Sequence, residues 1–276
     1  MGVAQKALEL ARGGAQTGEF VYRISDVQEC ADQSQDDCSE SACAPASACP
    51  SSGEKLFEVA TIVHLGVSMP YVPAVPYVVA LGLCQFLRAA DENFGICWPY
   101  DICYKDQAVA SIKATAGYQE GMFAVVSIAA DPKVLCSAFD VADNTELLAK
   151  KVSELAVQSV IVWEQQVKRA RSFAGPIALI LSDYFDMVPL LGQQVNKVYP
   201  SGNVALTARF GGIDVWGHAI LVDQDGKEIL VSEEEASIVQ CFNRCFSCQS
   251  SCCNAATVSV TCQPGWTASR SDKCHA

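Results

Sequence analysis

The stretch CWPYDICYKDQAVASI, residues 97–112, decides the fold of this chain. Aromatic, β-branched and cysteine side chains precede Lys105 and Asp106, and the β-branched Val109 and Ile112 follow them. Such side chains are enriched in strands, whereas a polar pair between two strand-like runs is typical of a tight turn. The pattern predicts two strands, residues 95–104 and 107–114, joined by a turn at Lys105 and Asp106. We therefore expect a β-sheet into which the elements on either side must fit.

On the N-terminal side of this hairpin, helix and strand patterns alternate. Residues 4–12 combine helix formers with an apolar stripe, and the Gly13-Gly14 pair ends that helix. The further elements predicted here are strands at 19–24 and 56–65 and a buried helix at 78–89. Between the two strands, residues 25–54 are rich in Ser, Asp and Cys and contain almost no core-forming side chains, which predicts a Cys-rich loop.

On the C-terminal side, a strand at 121–129 is followed by a helical pattern at 144–171, with Asn144 or Thr145 as its N-cap. A second helix is predicted around 177–184. After the Leu191-Gly192 pair the pattern changes to short strands with turns, at 194–199, 205–210, 218–222 and 228–231. Closely spaced short strands of this kind predict a small barrel.

These elements predict an α+β protein with three parts. A mixed sheet with helices occupies residues 1–188, a small β-barrel occupies 189–240, and a Cys-rich tail occupies 241–276. Half of the 276 residues are apolar, which is enough for one substantial core and a small second domain.

The charge balance excludes one class of partner. The formal net charge is −12, and binding of nucleic acid phosphates requires clustered Lys and Arg. The apolar run 60–87 raises the question of a membrane span, but it contains His64 and the prolines Pro70, Pro73 and Pro76. We therefore expect no nucleic acid partner and no transmembrane segment.

The cysteines are concentrated in two segments. Eight of the fifteen are candidates for disulfides: Cys30, Cys38, Cys43, Cys49, Cys241, Cys245, Cys248 and Cys252. The last four are spaced i, i+4, i+7 and i+11, which places them on one face if the segment is helical. Disulfides in an oxidising compartment are the preferred interpretation, with unpaired thiols and a zinc site as alternatives. We assign no metal site.

Four stretches, taken in order, resemble the biotin protein ligase family. They are residues 7–28 (ALELARGGAQTGEFVYRISDVQ), residues 97–112, residues 125–132 (VVSIAADP), and residues 190–199 together with 211–237 (LLGQQVNKVY and GGIDVWGHAILVDQDGKEILVSEEEAS). The second stretch is similar to the family's Lys-Trp-Pro-Asn-Asp hairpin, and the fourth to its C-terminal SH3-like domain. The resemblance implies a class II synthetase-like biotin ligase fold, with the ligand between sheet and loops, followed by an SH3-like barrel.

The family activates biotin with ATP and transfers it to a lysine of an acceptor protein, so it needs cations around the phosphates. In the family a Gly- and Arg-rich loop follows an Asp-x-Gln element. Here Asp26 and Gln28 match that element, but residues 31–37 contain no Arg or Gly and carry Asp32, Asp36 and Asp37. A like charge 4 Å from a phosphate costs about 4 kcal/mol at an effective dielectric constant of about 20. This loop is expected to repel ATP.

The hairpin departs from the family pattern as well. Cys97 stands where the family has Lys, Tyr100 where it has Asn, and Ala108 where a later strand carries a second Lys. A short gap in the alignment would instead bring Lys105 near that place. Three residues remain as candidate remnants of the ligand site: Gln28, Trp98 and Asp101.

The resemblance and its departures together predict a catalytically degenerate ligase. The first hypothesis is a pseudoenzyme that acts as a structural or protein-binding subunit, with a mitochondrial or other organellar multiprotein complex as its setting and no cofactor. The second is a divergent active biotin–protein ligase, which would use biotin and ATP. The third is a small-ligand binder without catalysis. Whether the chain is an enzyme stays open, with the balance of residues against it.

Overall fold

A computed structural model describes residues 2–26, 55–105, 107–142, 144–170 and 174–240. The helices are α1 (Val3–Arg12), α2 (Val75–Arg88), α3 (Pro132–Phe139), α4 (Thr145–Arg169) and α5 (Leu181–Asp186). The strands of the first sheet are β1 (Phe20–Asp26), β2 (Lys55–Leu65), β3 (Phe94–Cys97), β4 (Asp101–Tyr104), β5 (Gln107–Tyr118) and β6 (Met122–Ala130). Those of the second are β7 (Gln194–Val198), β8 (Val204–Ile213), β9 (Ala219–Val222), β10 (Glu228–Val231) and β11 (Ser237–Gln240).

The first sheet has the strand order β1-β2-β6-β5-β4-β3 and is antiparallel throughout its described strands. The prediction of a mixed sheet was therefore wrong. Strands β3 to β6 follow one another as a meander, and β2 returns against β6 in the opposite direction. Consecutive strands joined by short turns pair antiparallel, whereas parallel neighbours need longer crossovers. The α+β class itself agrees with the structure.

The strand predicted at 95–104 is two strands. It divides into β3 and β4 at a turn made by Trp98, Pro99 and Tyr100, where the Trp98-Pro99 peptide is cis. Proline has no N–H to donate to a ladder and fixes its own φ, so the strand cannot continue through it. The pairing partners Cys97 and Asp101 close the new hairpin.

Helices cover the two faces of this sheet unequally. The long helices α2 and α4 cover one face and share a core with Val59, Ile112 and Ile128. The short helix α1 packs Ala7 and its neighbours on part of the other face. The remainder of that second face carries polar and small side chains, which are described with the candidate site below.

Local signals explain where three helices begin. Asn144 caps α4, as predicted, with its side-chain oxygen accepting from the Leu147 amide at 3.0 Å. The prolines Pro73 and Pro76 bring the start of α2 forward to Val75, because proline suits the first turn of a helix. The sequence reading missed α3, although the Asp131 side chain accepts from the Lys133 amide at 2.8 Å and caps it.

The helix predicted at 78–89 lies in the core. The segment Met69–Arg88, a 3-10 turn followed by α2, is long and apolar enough to cross a membrane by length and composition, and most of it is buried within the protein. The α2 helix packs on α4 and β3. The absence of a transmembrane segment stays a prediction.

The second sheet is antiparallel, with the order β10-β9-β8-β7-β11. The four predicted strands are present, and β11 is a fifth. A bulge between Phe210 and Gly212 lets β8 run on to Ile213, and Gly212 has a φ of 124° there. The helix predicted around 177–184 is the shorter α5, and β1 extends into the predicted loop as far as Asp26. The SH3-like barrel and the domain boundaries stay predictions. Buried residues of both sheets belong to one continuous apolar core.

Candidate functional site

The turn between β3 and β4 packs against the part of the chain that forms the second sheet and its turns. The buried Trp98 donates its indole N–H to the carbonyl oxygen of Gly217 at 2.8 Å. The hydroxyl of Tyr77, in the first turns of α2, donates to the same oxygen at 3.0 Å. One backbone carbonyl in the turn between β8 and β9 thus accepts from two aromatic side chains, one on α2 and one in the β3–β4 turn. We call Tyr77, Trp98, Tyr100, Tyr184 and Gly217 the aromatic junction.

The other two tyrosines complete this junction. The Tyr184 hydroxyl donates to the Pro99 carbonyl at 2.7 Å. The Tyr77 ring meets the Tyr100 ring edge-on at 5.2 Å and the Tyr184 ring at 5.8 Å between centroids. Burial, and then the neighbouring Glu233 carboxylate, raise the pKa of both Tyr77 and Tyr100 far above the ordinary tyrosine value. These hydroxyls are therefore neutral donors, and their arrangement fixes structure rather than supplying a charge.

Asp101 lies beside the aromatic junction. It matches the Asp of the family's Lys-Trp-Pro-Asn-Asp pattern. Burial raises its pKa above the ordinary value, while the Ser111 hydroxyl, the Ile112 amide and the Lys113 charge act in the opposite direction. The structure thus brings Lys113 near Asp101, although Lys113 lies in sequence away from the position at which the family carries its second Lys. The nearby Lys105 is placed differently, with its Nζ 5.0 Å from the Tyr104 ring centroid.

The predicted site residues of the hairpin lie together at its turn, whereas Ala108 lies on the next strand. Cys97, Tyr100 and Asp101 lie together around one turn, with Cys97 and Asp101 paired across it. Ala108 lies across from Cys103 on β5, beyond a bulge in the β4–β5 ladder. Gln28 lies outside the described residues, as do the eight candidate disulfide cysteines, so the disulfide assignment stays a prediction.

The polar side of the first sheet holds an ion pair that sequence reasoning missed. Arg23 and Glu58 face each other on paired strands and are joined by hydrogen bonds through the Arg23 guanidinium. The same row continues across the sheet to Ala129 and Ser111. Ala129 stands where the resemblance expects an Asn. The sequence shows only that Arg23 and Glu58 lie on two predicted strands. Their pairing could be predicted only if the register of those strands were known.

Two of the cavities on the described surface lie apart from the predicted site residues. Neither is lined by Cys97, Tyr100, Asp101 or Ala108. One of about 350 Å³ lies between the start of β1 and helix α4. The other, of about 460 Å³, lies by the β4–β5 turn and is lined by Arg88, Lys105 and Cys103 among others. Within the residues that the structure describes, no group of three or more His, Cys, Asp or Glu side chains is placed to hold a metal ion.

Cys84 is a buried thiol of the core. Burial, and then the neighbouring Cys103 thiol, raise the pKa of Cys84 to about 12, so it is protonated at neutral pH. A protonated buried thiol is not a nucleophile, and Cys84 therefore belongs to the packing of α2.

We expect Asp101→Asn to remove one component of the pH dependence of stability. Because the pKa of Asp101 is raised on folding, the folded protein binds this proton more tightly than the unfolded chain does. The Asp101 contribution to stability therefore falls as the pH rises from the ordinary carboxyl pKa through the folded value. Urea unfolding at a series of pH values should show the wild type losing stability relative to Asp101→Asn across this window.

Asp91→Asn is the matched control with the opposite sign. Hydrogen bonds from the Asn93 backbone and side chain and from Tyr104 lower the pKa of Asp91. Its contribution is present above the unfolded pKa and is lost as the pH falls through the folded one. Equal slopes for the two variants would contradict the assignment of Asp101 as a buried carboxyl.

Comparison with known proteins locates the fold. No protein-family model matches the chain, and no curated protein matches it. A solved biotin protein ligase-like protein of unknown function from Silicibacter sp. TM1040 superposes with a TM-score of 0.52 at 13% sequence identity, covering 84% of this chain and 90% of that one. The chain therefore has a biotin ligase-like fold, and at this identity the likeness extends to the fold alone.

Solved ligases are also similar, at lower scores. Biotin protein ligase from Aquifex aeolicus in complex with biotin and ATP gives a TM-score of 0.48 at 16% identity, covering 69% of this chain and 81% of that one. Biotin protein ligase from Leishmania major in complex with biotinyl-5-AMP gives 0.39 at 13% identity, covering 83% and 94%.

Proposed function

We propose that this chain is a biotin ligase-like pseudoenzyme that serves as a structural, protein-binding subunit of a larger assembly. A mitochondrial or other organellar complex is the proposed setting. The proposal includes no cofactor, no nucleic acid partner and no transmembrane segment.

One observation carries this proposal: Tyr100 is built into the aromatic junction. At this position the resemblance expects an Asn that serves the ligand site. Here the ring packs edge-on against Tyr77, and the hydroxyl interacts with Glu233 in the turn between β10 and β11. A side chain committed to holding two sheets together does not reach a ligand.

The charges around the hairpin support the same conclusion. Adenylation requires cations that are free to meet phosphate oxygens. Of the described cations on or near this side of the sheet, Arg23 is paired with Glu58, Lys113 lies near Asp101, and Lys105 lies over the Tyr104 ring. The positions that the resemblance assigns to two lysines are Cys97 and Ala108. The described part of the hairpin thus lacks the two lysines that the resemblance expects, and the cations near it each lie beside another group of the protein.

Exposed apolar side chains on the second sheet and its turns support a protein-binding role. Val204, Trp216 and Leu230 are 52%, 54% and 57% exposed. Tryptophan is enriched among the residues that dominate protein interfaces, so Trp216 is the strongest candidate of the three. The β8–β9 turn that carries Trp216 is therefore the proposed place of contact with a partner.

The small-ligand alternative has one observation in its favour. The cavity of about 460 Å³ beside the β4–β5 turn contains both Arg88 and Lys105. However, the Arg88 guanidinium already donates to the Asp186 carbonyl at 2.8 Å. A divergent active ligase would need both biotin and ATP to bind, and the same experiment tests it.

We expect isothermal titration of the full chain to detect no binding of biotin or of ATP with magnesium with a dissociation constant below about 100 µM. Biotin and ATP together should release no pyrophosphate. In extracts of the source organism, the native chain should elute at several times its own mass of 29.5 kDa. Micromolar binding of both compounds with pyrophosphate release, or elution at the monomer mass, would contradict the proposal.

A pair of lysine variants identifies the site of any weak nucleotide binding. Lys105→Ala removes a cation from the larger cavity, whereas Lys113→Ala removes one beside Asp101. Loss of binding in Lys105→Ala alone would favour the small-ligand alternative. Loss in Lys113→Ala alone would favour a surviving ligase site.

A further inference from the structure

The turn between β8 and β9 presents an exposed tryptophan on a fixed backbone. Trp216 is 54% exposed. Beneath it, one carboxylate oxygen of Asp214 accepts from the Trp216 amide at 2.8 Å and from the His218 amide at 2.9 Å. The other carboxylate oxygen lies 2.8 Å from Nδ1 of His218. The conformation of this turn is therefore set before any partner arrives.

The same turn is tied to the body of the protein from below. The Gly217 carbonyl accepts from Tyr77 and Trp98 in the aromatic junction. The Val215 carbonyl accepts from the Ile177 amide at 3.2 Å. Trp216 is thus flanked on both sides by anchored residues while its own ring remains largely in solvent. Rigid, exposed tryptophans are enriched among the residues that dominate protein interfaces, because little conformational entropy is lost when they bind.

Carboxylates lie in and near this turn. Asp214 lies within the turn, and Glu233 interacts with Tyr77 and Tyr100, the first of which donates to Gly217. Glu233 and Glu234 are exposed in the turn before β11. The whole chain carries a net charge of −12. A negative potential attracts cations, and the indole ring has the strongest cation–π attraction among the natural side chains.

We propose that Trp216, with Asp214 in its own turn and Glu233 near the Tyr77 hydroxyl that bonds this turn, receives a Lys or Arg side chain from a basic segment of a partner protein. This inference rests on the proposed protein-binding function and names the surface and the chemistry of the partner. The cation stacks on the indole, and the carboxylates attract it during approach. Val204 and Leu230 are equally exposed but lie on strands, without this fixed acidic turn.

The test is a titration of the full chain with two peptides. One is an acetylated and amidated nonapeptide that alternates Lys or Arg with Gly or Ser, and the other has Gln at every Lys and Arg. Nuclear magnetic resonance follows the indole N–H signals of the four tryptophans. We expect the basic peptide to shift the Trp216 signal selectively, to bind less tightly as salt rises, and to bind at least about fivefold more weakly to Trp216→Ala.

Three variants sharpen the result. Glu233→Gln should weaken binding, Trp216→Phe should retain part of it, and Leu230→Ala, which removes an equally exposed apolar side chain, should bind as the wild type does. Unchanged binding by Trp216→Ala, equal binding of the Gln peptide, or no binding of the basic peptide would overturn the proposal. If any of these occurs while Trp216→Ala still elutes in its large native assembly, the surface is wrong and the protein-binding function stands. Binding of biotin and ATP with pyrophosphate release would instead remove the function itself.

Discussion

Gly217→Ala is expected to lower the free energy of unfolding by about 3 kcal/mol, as the combined effect of backbone strain, overpacking and lost hydrogen bonds. Gly217 has a φ of 97°, which L side chains rarely adopt. A Cβ there would lie 2.5 Å from the Tyr77 hydroxyl oxygen and 2.8 Å from its Cζ. The Tyr77 ring is buried and cannot swing aside. The Gly217 carbonyl must therefore shift, which weakens its bonds from both Tyr77 and Trp98.

Gly226→Ala is the control for this variant. Gly226 also has a positive φ, 80°, in a turn of the same sheet, but nothing lies within 4 Å of its added Cβ. It carries the backbone strain without the clash, so about 1 kcal/mol is expected. Urea unfolding of both variants measures the difference. Equal losses would show that Tyr77 moves freely and that the junction is not a fixed contact.

Trp98→Ala is expected to cost about 3–5 kcal/mol, the range for deleting a large buried aromatic side chain. Trp98 is 5% exposed and belongs to the continuous core. Its removal leaves a cavity and deprives the Gly217 carbonyl of one donor. Trp98→Phe keeps most of the ring and loses the indole hydrogen bond, so about 1–2 kcal/mol is expected. The same urea unfolding experiment measures both variants.

This series separates packing from ligand binding as the reason for a tryptophan at this position. Trp216→Ala serves as the exposed control and should change stability by no more than about 0.5 kcal/mol. A loss in Trp98→Ala as small as that in Trp216→Ala would remove the packing explanation and return Trp98 to the ligand site.

Local signals in the sequence predicted most of the elements of this fold. The helix α4 was found from its periodicity and its Asn144 cap, and the β-strands of the second sheet from their alternation and turns. Two errors share a cause. Each depends on a proline: Pro99 ends a strand, and Pro132 follows a strand and suits the first turn of the helix α3. Sequence alone does not say which role dominates.

The site was less predictable, because its contacts join distant parts of the chain. The departures at Cys97, Tyr100 and Ala108 are visible by resemblance to a family pattern. The use of Tyr100 in packing is not, since it depends on Tyr77 and on Glu233. In the sequence, Gly217 is typical of a turn glycine. Only the tertiary structure shows that Tyr77 and Trp98 donate to its carbonyl.

The two hydrogen bonds that end on the Gly217 carbonyl also bear on how the protein is made. They span 140 residues from Tyr77 and 119 residues from Trp98. While the chain is being synthesised, both aromatic side chains leave the ribosome long before the atom that accepts from them. Until Gly217 emerges, Tyr77 and Trp98 lack the acceptor that they share in the folded protein, and the β3–β4 turn lacks the turn against which it packs. Such waiting intermediates are the species that chaperones bind. The aromatic junction is therefore completed only after most of the chain has been synthesised.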